Sequence, residues 1–368
     1  MSWSKRRARL QSHLPGKALL GAASLAYGAG VLGRKALYDL KILKRQKIAA
    51  KVICIGNLTT GGTGKTPAVL LAAETLRRRG HEVAILSRGY GGTASKKEVT
   101  VLLDGRQTDW RLCGDEPWMI HQSLQGQGVP VLVCPDRTKA GELAVEMYGS
   151  SVVILDDGFQ HLKLHRDLDV VLVNATDPFG GGSLLPLGNL REPVSALRRA
   201  HIVIVTHADR VTGPDLAKLR EEIDAAHPGV TILESAHKPD HVLDVRTEQK
   251  HPLTHLKDKA VVALSGLGDP LSFETSLEAL GATIAQSWRY PDHHVYTERE
   301  LRSIGELRGA LTLVTTYKDF VRLPARWRET LTGDVLVLGI KLDLLKGRNI
   351  WIDTLSELAQ KAEGRSRS

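Results

Sequence analysis

Thr59-Thr-Gly-Gly-Thr-Gly-Lys-Thr66, with Pro67 behind it, is the stretch whose reading decides the fold. In front of it stands Val52-Ile-Cys-Ile-Gly56, a short apolar run that predicts a buried strand. Behind it, residues 67–79 are good helix formers, and Gly80 is placed as a stop. Pro67 suits a first helical turn, where an amide hydrogen would lack a partner anyway. Strand, Gly-rich turn and helix N-terminus together make a phosphate cradle, with backbone N–H groups and the positive helix end facing an anion. The candidate nucleotide-binding residues are therefore Thr59, Thr60, Gly61, Gly62, Thr63, Gly64, Lys65 and Thr66. In this pattern Lys65 reaches the β- and γ-phosphates of ATP and the Thr66 hydroxyl is available to Mg²⁺. The general motif has Gly where this chain has Thr59; the strand before and the helix after carry the reading.

Further strands are predicted at residues 82–86, 129–134, 151–155, 169–174 and 202–206. The run Ser151-Val-Val-Ile-Leu155 ends in Asp156-Asp157, a Walker B arrangement in which a carboxylate holds Mg²⁺ directly or through water. Arg88, in the Gly-rich turn after the second strand, reads equally as a phosphate contact or a plain loop arginine. His161-x-x-x-His165 would suit zinc on a helix, but a carboxylate–Mg²⁺ site makes zinc redundant. Thr206-His-Ala-Asp209 lacks the lysine of a guanine-reading motif, so GTP is discounted. Residues 177–193 form a long turn-rich stretch, of the kind that is functional or disordered.

The 368 residues favour two domains, and three scattered cysteines point to neither disulfides nor a zinc site. Net charge is +9, but residues 1–50 alone carry +10. The basic balance belongs to that segment, so no nucleic-acid partner is expected. Ala18–Gly33 is an uncharged, Leu-, Ala- and Gly-rich run of 16 residues, short of the ~20 a spanning helix needs. It reads as a helix or helical hairpin at an anionic membrane surface, flanked by Lys and Arg; the alternative is a helix packed on the domain. The predicted organisation is α/β: residues 1–47 membrane-associating, 48–240 a larger P-loop domain with a mostly parallel sheet, 241–259 a hinge, 260–360 a smaller C-terminal α/β domain, and 361–368 a polar tail.

Phosphoryl transfer also needs a group that orients or deprotonates the acceptor hydroxyl. Asp115 and Glu116 are adjacent acids before Pro117, which predicts an extended segment with one acid facing substrate and the other metal. Residue physics leaves open which does which. The other candidate is Pro291-Asp-His-His294, where a His could accept a proton when the domains close.

Residues 55–67 closely resemble the tetraacyldisaccharide 4′-kinase family, as do Leu86-Ser-Arg-Gly-Tyr-Gly91, Gly114-Asp-Glu-Pro117, Ile154-Leu-Asp-Asp-Gly-Phe-Gln-His161, Leu187-Gly-Asn-Leu-Arg-Glu-Pro193 and Tyr290-Pro-Asp-His-His294. The resemblance spans roughly residues 14–345 and implies transfer of the γ-phosphate of ATP to the 4′-hydroxyl of an acylated glucosamine disaccharide 1-phosphate. The implied setting is the cytoplasmic face of the inner membrane. A monomer is expected, though the sequence does not say whether the protein oligomerises. The resemblance implies Asp115 as catalytic carboxylate partnered by His293; Lys65, read from the P-loop itself, completes the catalytic set. Glu116, Asp156 and Asp157 take metal roles beside Thr66 of the P-loop; Arg137 and Arg191 match arginines near the acceptor and, with Asn189, are the implied substrate contacts, to which Arg88 is added from its own turn. The family's loop also lacks the first glycine, which removes the anomaly at Thr59. The rival reading is a membrane-recruited P-loop ATPase switch; a soluble small-molecule kinase would leave the N-terminal segment unexplained.

Overall fold

Along the chain the helices that matter are α1 (Leu14–Asp39), α2 (Lys65–Arg77), α3 (Asp115–Ser123), α4 (Arg137–Tyr148), α5 (Gly213–Ala226), α6 (Pro270–Ala279), α7 (Glu298–Arg308), α8 (Tyr317–Phe320) and α9 (Arg348–Ser366). The strands are β1 (Lys51–Asn57), β2 (Val83–Ser87), β3 (Thr100–Leu102), β4 (Val131–Val133), β5 (Val152–Asp156), β6 (Leu168–Asn174), β7 (Ile202–Thr206), β8 (Thr231–Asp244), β9 (Gln249–His251), β10 (Ala260–Ser265), β11 (Thr283–Arg289), β12 (Thr312–Thr316) and β13 (Val335–Lys346). The structure, a computed structural model, describes residues 7, 10–94, 97–105, 110–292 and 294–366. His293 therefore lies outside the described residues.

The strands form one sheet in the order β11-β10-β12-β13-β8-β7-β6-β1-β5-β2-β4-β3, with β9 on β8. From β8 to β4 every neighbouring pair is parallel, and only β3 at the edge is reversed. Strands covered on both faces need continuous apolar runs, which is what these sequences supply. Alternate residues of β1 enter opposite cores: Ile53 and Ile55 one, Val52 and Cys54 the other. The strands β11, β10, β12 and β13 form a second parallel block with two cores of its own.

The blocks are joined by an antiparallel pair. The start of β8 pairs with β7, while its remainder pairs with β13, from Glu234↔Lys346 to Asp244↔Leu336. Because β8 runs on beyond the first block and β13 comes back against it, the C-terminal ends of the two parallel blocks face one another. Open α/β sheets bind ligands at that end of their strands, so both lobes contribute to one cleft.

Three boundary expectations change. The expected hinge, residues 241–259, holds the end of β8, β9 and a 3₁₀ turn, and the lobes are tied by the β8–β13 ribbon. The expected C-terminal domain does not keep its last helix: Trp351, Leu355 and Ala359 of α9 are buried in the core that also holds α2. The predicted polar tail is helical as far as Ser366.

The expected N-terminal helix is present. Gly16, Leu20, Ser24 and Gly28 repeat every fourth residue and make its buried stripe. Ser24 Oγ donates to the Leu184 carbonyl at 2.7 Å, and Tyr27 Oη donates to the Arg191 carbonyl at 3.0 Å. A Cβ on Gly28 would lie 2.8 Å from Leu184 Cδ1, so glycine lets that side chain pack close against the helix. The opposite face leaves Leu14, Leu19, Leu25 and Leu32 exposed. Among the described residues no helix is long and apolar enough to cross a membrane.

Candidate active site

β1 ends at Asn57 and the chain wraps through the Gly-rich loop into α2. Asn57 Nδ2 donates to Thr63 Oγ1 at 2.8 Å, and Thr206 Oγ1 on β7 donates to the Thr63 carbonyl at 3.1 Å. Gly64 has a left-handed φ of 82°, which a side chain would strain, and His237 of β8 packs directly where its Cβ would be. At its start the loop is zipped to the long segment 177–193. Thr59 bridges Leu190, Thr60 N donates to the Asn189 carbonyl at 2.8 Å, and Arg191 N donates to the Leu58 carbonyl at 2.7 Å. The long segment is thus one wall of the phosphate cradle.

β5 delivers its acids beside this loop. Lys65 Nζ lies 3.9 Å from Asp157, whose carboxylate also accepts from Arg191 Nη1 at 2.8 and 3.0 Å. Lys65 and Arg191 keep the Asp157 pKa below the usual carboxylate value despite its burial. Asp156 is the opposite case. Burial, then the charges of Glu116 and Asp157, push its pKa up to about 7, against a 3.0 Å hydrogen bond from Ser87 Oγ. Glu116 approaches from α3 on the same lobe, and Lys65 offsets this crowding at Asp156 only in part.

This crowding is the test for Mg²⁺. Among the described residues no set of three His, Cys, Asp or Glu side chains is arranged to hold a metal alone. Hard carboxylate and hydroxyl oxygens in a phosphate cradle nevertheless fit an ion that takes its remaining ligands from phosphate and water, the usual way Mg²⁺ is bound. Asp156, Glu116 and Thr66 suit that role; Asp157 has its oxygens engaged by Lys65 and Arg191.

The extended reading of Gly114-Asp-Glu-Pro117 is corrected. Gly114, with φ 94°, caps the N-terminus of α3, and Asp115 and Glu116 lie in its first turn. Proline is tolerated there, and two acids complement the positive helix end, so the local preference before proline loses. Asp115 Oδ1 accepts from Glu116 N at 2.9 Å, and Oδ2 accepts from Arg322 Nε at 3.0 Å and from Arg322 Nη2.

Of the implied substrate contacts, Arg191 is bound to Asp157, and Asn189 Oδ1 accepts from Arg7 Nη1 at 2.9 Å. Arg137 is buried at the head of α4, close enough to Asp156 and Asp157 to feel both, with its pKa lowered by burial and then by Arg88. In the Pro-Asp-His-His stretch, Asp292 accepts from Lys318 Nζ at 2.6 Å and His294 Nε2 lies 3.1 Å from Glu300. His161 and His165 lie in irregular backbone, so they share no helix face, and burial, then Arg137, lowers His161 to about 4. A cavity of about 380 Å³ opens between α1 and this site, lined by Tyr27, Val31, Arg34, Gln160, Arg191 and Glu192 among others.

Several residues here escaped the sequence reading. Gln160 Nε2 donates to the Asn57 carbonyl at 3.0 Å and to Glu192 at 3.1 Å, and buried Glu192 takes two bonds from Arg199 at 2.7 and 2.9 Å. Gln160 and Glu192 stand inside stretches already singled out, so their neighbours were the signal. Ser87 likewise stands in the quoted stretch Leu86–Gly91; His237 and Arg322 carry none in sequence.

Residues 16–359 match the family described as tetraacyldisaccharide-1-P 4′-kinase. The chain belongs to the tetraacyldisaccharide 4′-kinase family. It is a phosphotransferase of lipid A biosynthesis. It is 40% identical over 375 residues to the tetraacyldisaccharide 4′-kinase of Elusimicrobium minutum, covering 100% of both chains. It is 41% identical over 351 residues to that of Anaeromyxobacter sp. strain K, covering 95% of this chain and 92% of the relative. Among solved structures it is similar to LpxK from Aquifex aeolicus in complex with ATP, with TM-score 0.75 and 29% identity over 94% of this chain and 99% of that one.

Proposed function

We propose that transfer of the ATP γ-phosphate to the 4′-hydroxyl of the tetraacylated disaccharide 1-phosphate runs where the two sets of strand ends face each other. The observation that carries this reading is the convergence of Lys65, the crowded Asp156 and Glu116, and Asp115 on one cleft wall. The loop N–H groups and Lys65 bind the phosphates, and Lys65 stabilises charge on the transferred group. Mg²⁺, when bound at Thr66, Glu116 and Asp156, neutralises charge on the phosphate oxygens. Asp115 accepts the proton of the acceptor hydroxyl, with His293 as its partner. Arg191 and Lys65 hold Asp157, which keeps the lysine aimed at the cleft. Arg137, Arg88, Asn189 and Arg191 line the approach for the acceptor, whose acyl chains lie along α1.

The reaction takes place at the cytoplasmic face of the inner membrane, with the chain as a monomer. The exposed leucines of α1 rest among lipid headgroups and its flanking basic residues meet anionic lipid. The test is transfer of labelled γ-phosphate to disaccharide 1-phosphate lipid in detergent micelles, with and without Mg²⁺. Labelled lipid that requires Mg²⁺ supports the reading. ATP hydrolysis at one rate with or without lipid, and no labelled lipid, would favour an ATPase switch.

A further inference from the structure

A single turn of the C-terminal lobe sends charged side chains towards three other segments. It begins at Thr316, the last residue of β12, whose hydroxyl accepts from Asp319 N at 3.2 Å. Lys318 reaches across to Asp292. Asp319 is fully buried and its carboxylate is well satisfied: Oδ1 accepts from Gly266 N at 2.9 Å and Tyr296 Oη at 3.0 Å, and Oδ2 from Thr316 Oγ1 at 2.7 Å. Arg322 N then donates to the Asp319 carbonyl at 3.0 Å, which ends the turn with the Arg322 side chain aimed at the other lobe.

There the guanidinium, only 2% exposed, meets Asp115 across 207 residues of sequence. Nε and Nη2 share Oδ2, while the Glu116 amide occupies one lone pair of Oδ1. A fork on one oxygen and a backbone N–H on the other leave the carboxylate a single orientation. One lone pair on the Glu116 side remains for an incoming hydroxyl. The orientation of an acid on the P-loop lobe is therefore set from the opposite lobe.

We propose that Arg322 is a positioning residue for phosphoryl transfer: it fixes the Asp115 carboxylate in the cleft, and the Asp319 network holds the turn that carries it. This rests on the reading of Asp115 as the group that accepts the hydroxyl proton. Misplacing a reacting group by about 1 Å costs on the order of 10²-fold in rate, which sets the size of the effect. A buried ion pair is also structural, since removing one partner strands the other. The experiment has to separate the two roles.

We would measure labelled-phosphate transfer from Mg·ATP to the disaccharide 1-phosphate in micelles for Arg322→Met, Arg322→Lys, Asp115→Asn and the double variant Asp115→Asn/Arg322→Met. Binding of a fluorescent ATP analogue reports whether the P-loop lobe is folded in each. The expected result for Arg322→Met is a kcat lower by on the order of 10²-fold with KM for ATP within about twofold. Arg322→Lys, which keeps the charge but lacks the fork, should lose about tenfold. In the Asp115→Asn background, Arg322→Met should add less than about threefold, because the residue it positions is already gone. If Arg322→Met does not fold, Arg322→Lys decides, and wild-type kcat there overturns the proposal. So does a double-variant loss equal to the product of the single losses. An inactive Asp115→Asn beside a fully active Arg322→Met rejects the positioning role alone. A fully active Asp115→Asn rejects the reading of Asp115, and the proposal with it.

Discussion

The two parallel blocks each place a buried aspartate at the end of a strand, and the two are treated in opposite ways. Asp156, closing β5, has one hydroxyl donor and two neighbouring carboxylates, Glu116 and Asp157. Asp319, one turn beyond β12, has three donors on its two oxygens and the guanidinium of Arg322 nearby. Burial pushes both pKa values upward, but only at Asp156 do neighbouring acids add to it. Among the described residues, Asp156 has an oxygen without a protein donor and can take a cation; Asp319 has its oxygens satisfied and is built to hold still. One lobe binds phosphate and cation, and the other supplies geometry.

The largest expected effect lies on the first lobe. Lys65→Met should lower transfer by about 10³-fold while the protein melts near its wild-type temperature, as calorimetry would show. A comparison of Asp156→Asn with Asp319→Asn bears directly on the contrast. Asp156→Asn should lower transfer by on the order of 10²-fold and leave stability unchanged or higher, since it removes a crowded charge. Asp319→Asn should lower unfolding free energy by about 2 kcal/mol in urea titration, because an amide cannot replace every acceptor bond. The reverse pattern would break the contrast.

Next in size is a pH effect at His237, against Gly64. Burial, then His207, lowers its pKa from 6.5 to about 3. The unfolded chain takes up this proton below pH 6.5 while the folded chain stays neutral, so stability is present above 6.5 and is lost as pH falls towards 3. The slope is up to about 1.4 kcal/mol per pH unit for one proton. His161, at about 4, acts in the same direction. His121, His165, His207 and His255 are lowered as well and share in the slope. Urea titrations between pH 7 and 5 should show His237→Gln with a smaller slope than wild type; an unchanged slope removes His237 from the account. The smallest effect on chemistry concerns α1. The triple variant Leu19→Ser/Leu25→Ser/Leu32→Ser should bind anionic vesicles at least about tenfold more weakly in flotation, with kcat in micelles within about threefold. Equal vesicle binding would leave the exposed face of α1 without its assigned role.

The first lobe was largely legible in sequence because its chemistry is local. Strand, glycines and Lys65-Thr66 lie within one unit, and Asp156-Asp157 follows four apolar residues. The β8–β13 ribbon was missed because β8 is polar along half its length and carries Pro239, which argues against a strand. The structure seats that proline where the register shifts opposite Gly339 and Ile340, so it breaks no regular ladder. Helix α9 did leave a signal, with Trp351, Leu355 and Ala359 every fourth residue, but the polar ending of the chain hid it. Arg322 had none. A salt bridge between residues 207 positions apart depends on how two blocks face each other, and that depends on the ribbon.

The most direct measurement is single-turnover transfer of labelled phosphate from Mg·ATP to the disaccharide 1-phosphate, comparing wild type with Asp115→Ala and measuring ATP binding on the same samples. The account predicts labelled lipid from wild type, and a loss of at least about 10²-fold in the variant with ATP binding retained. Transfer by Asp115→Ala at the wild-type rate would contradict it.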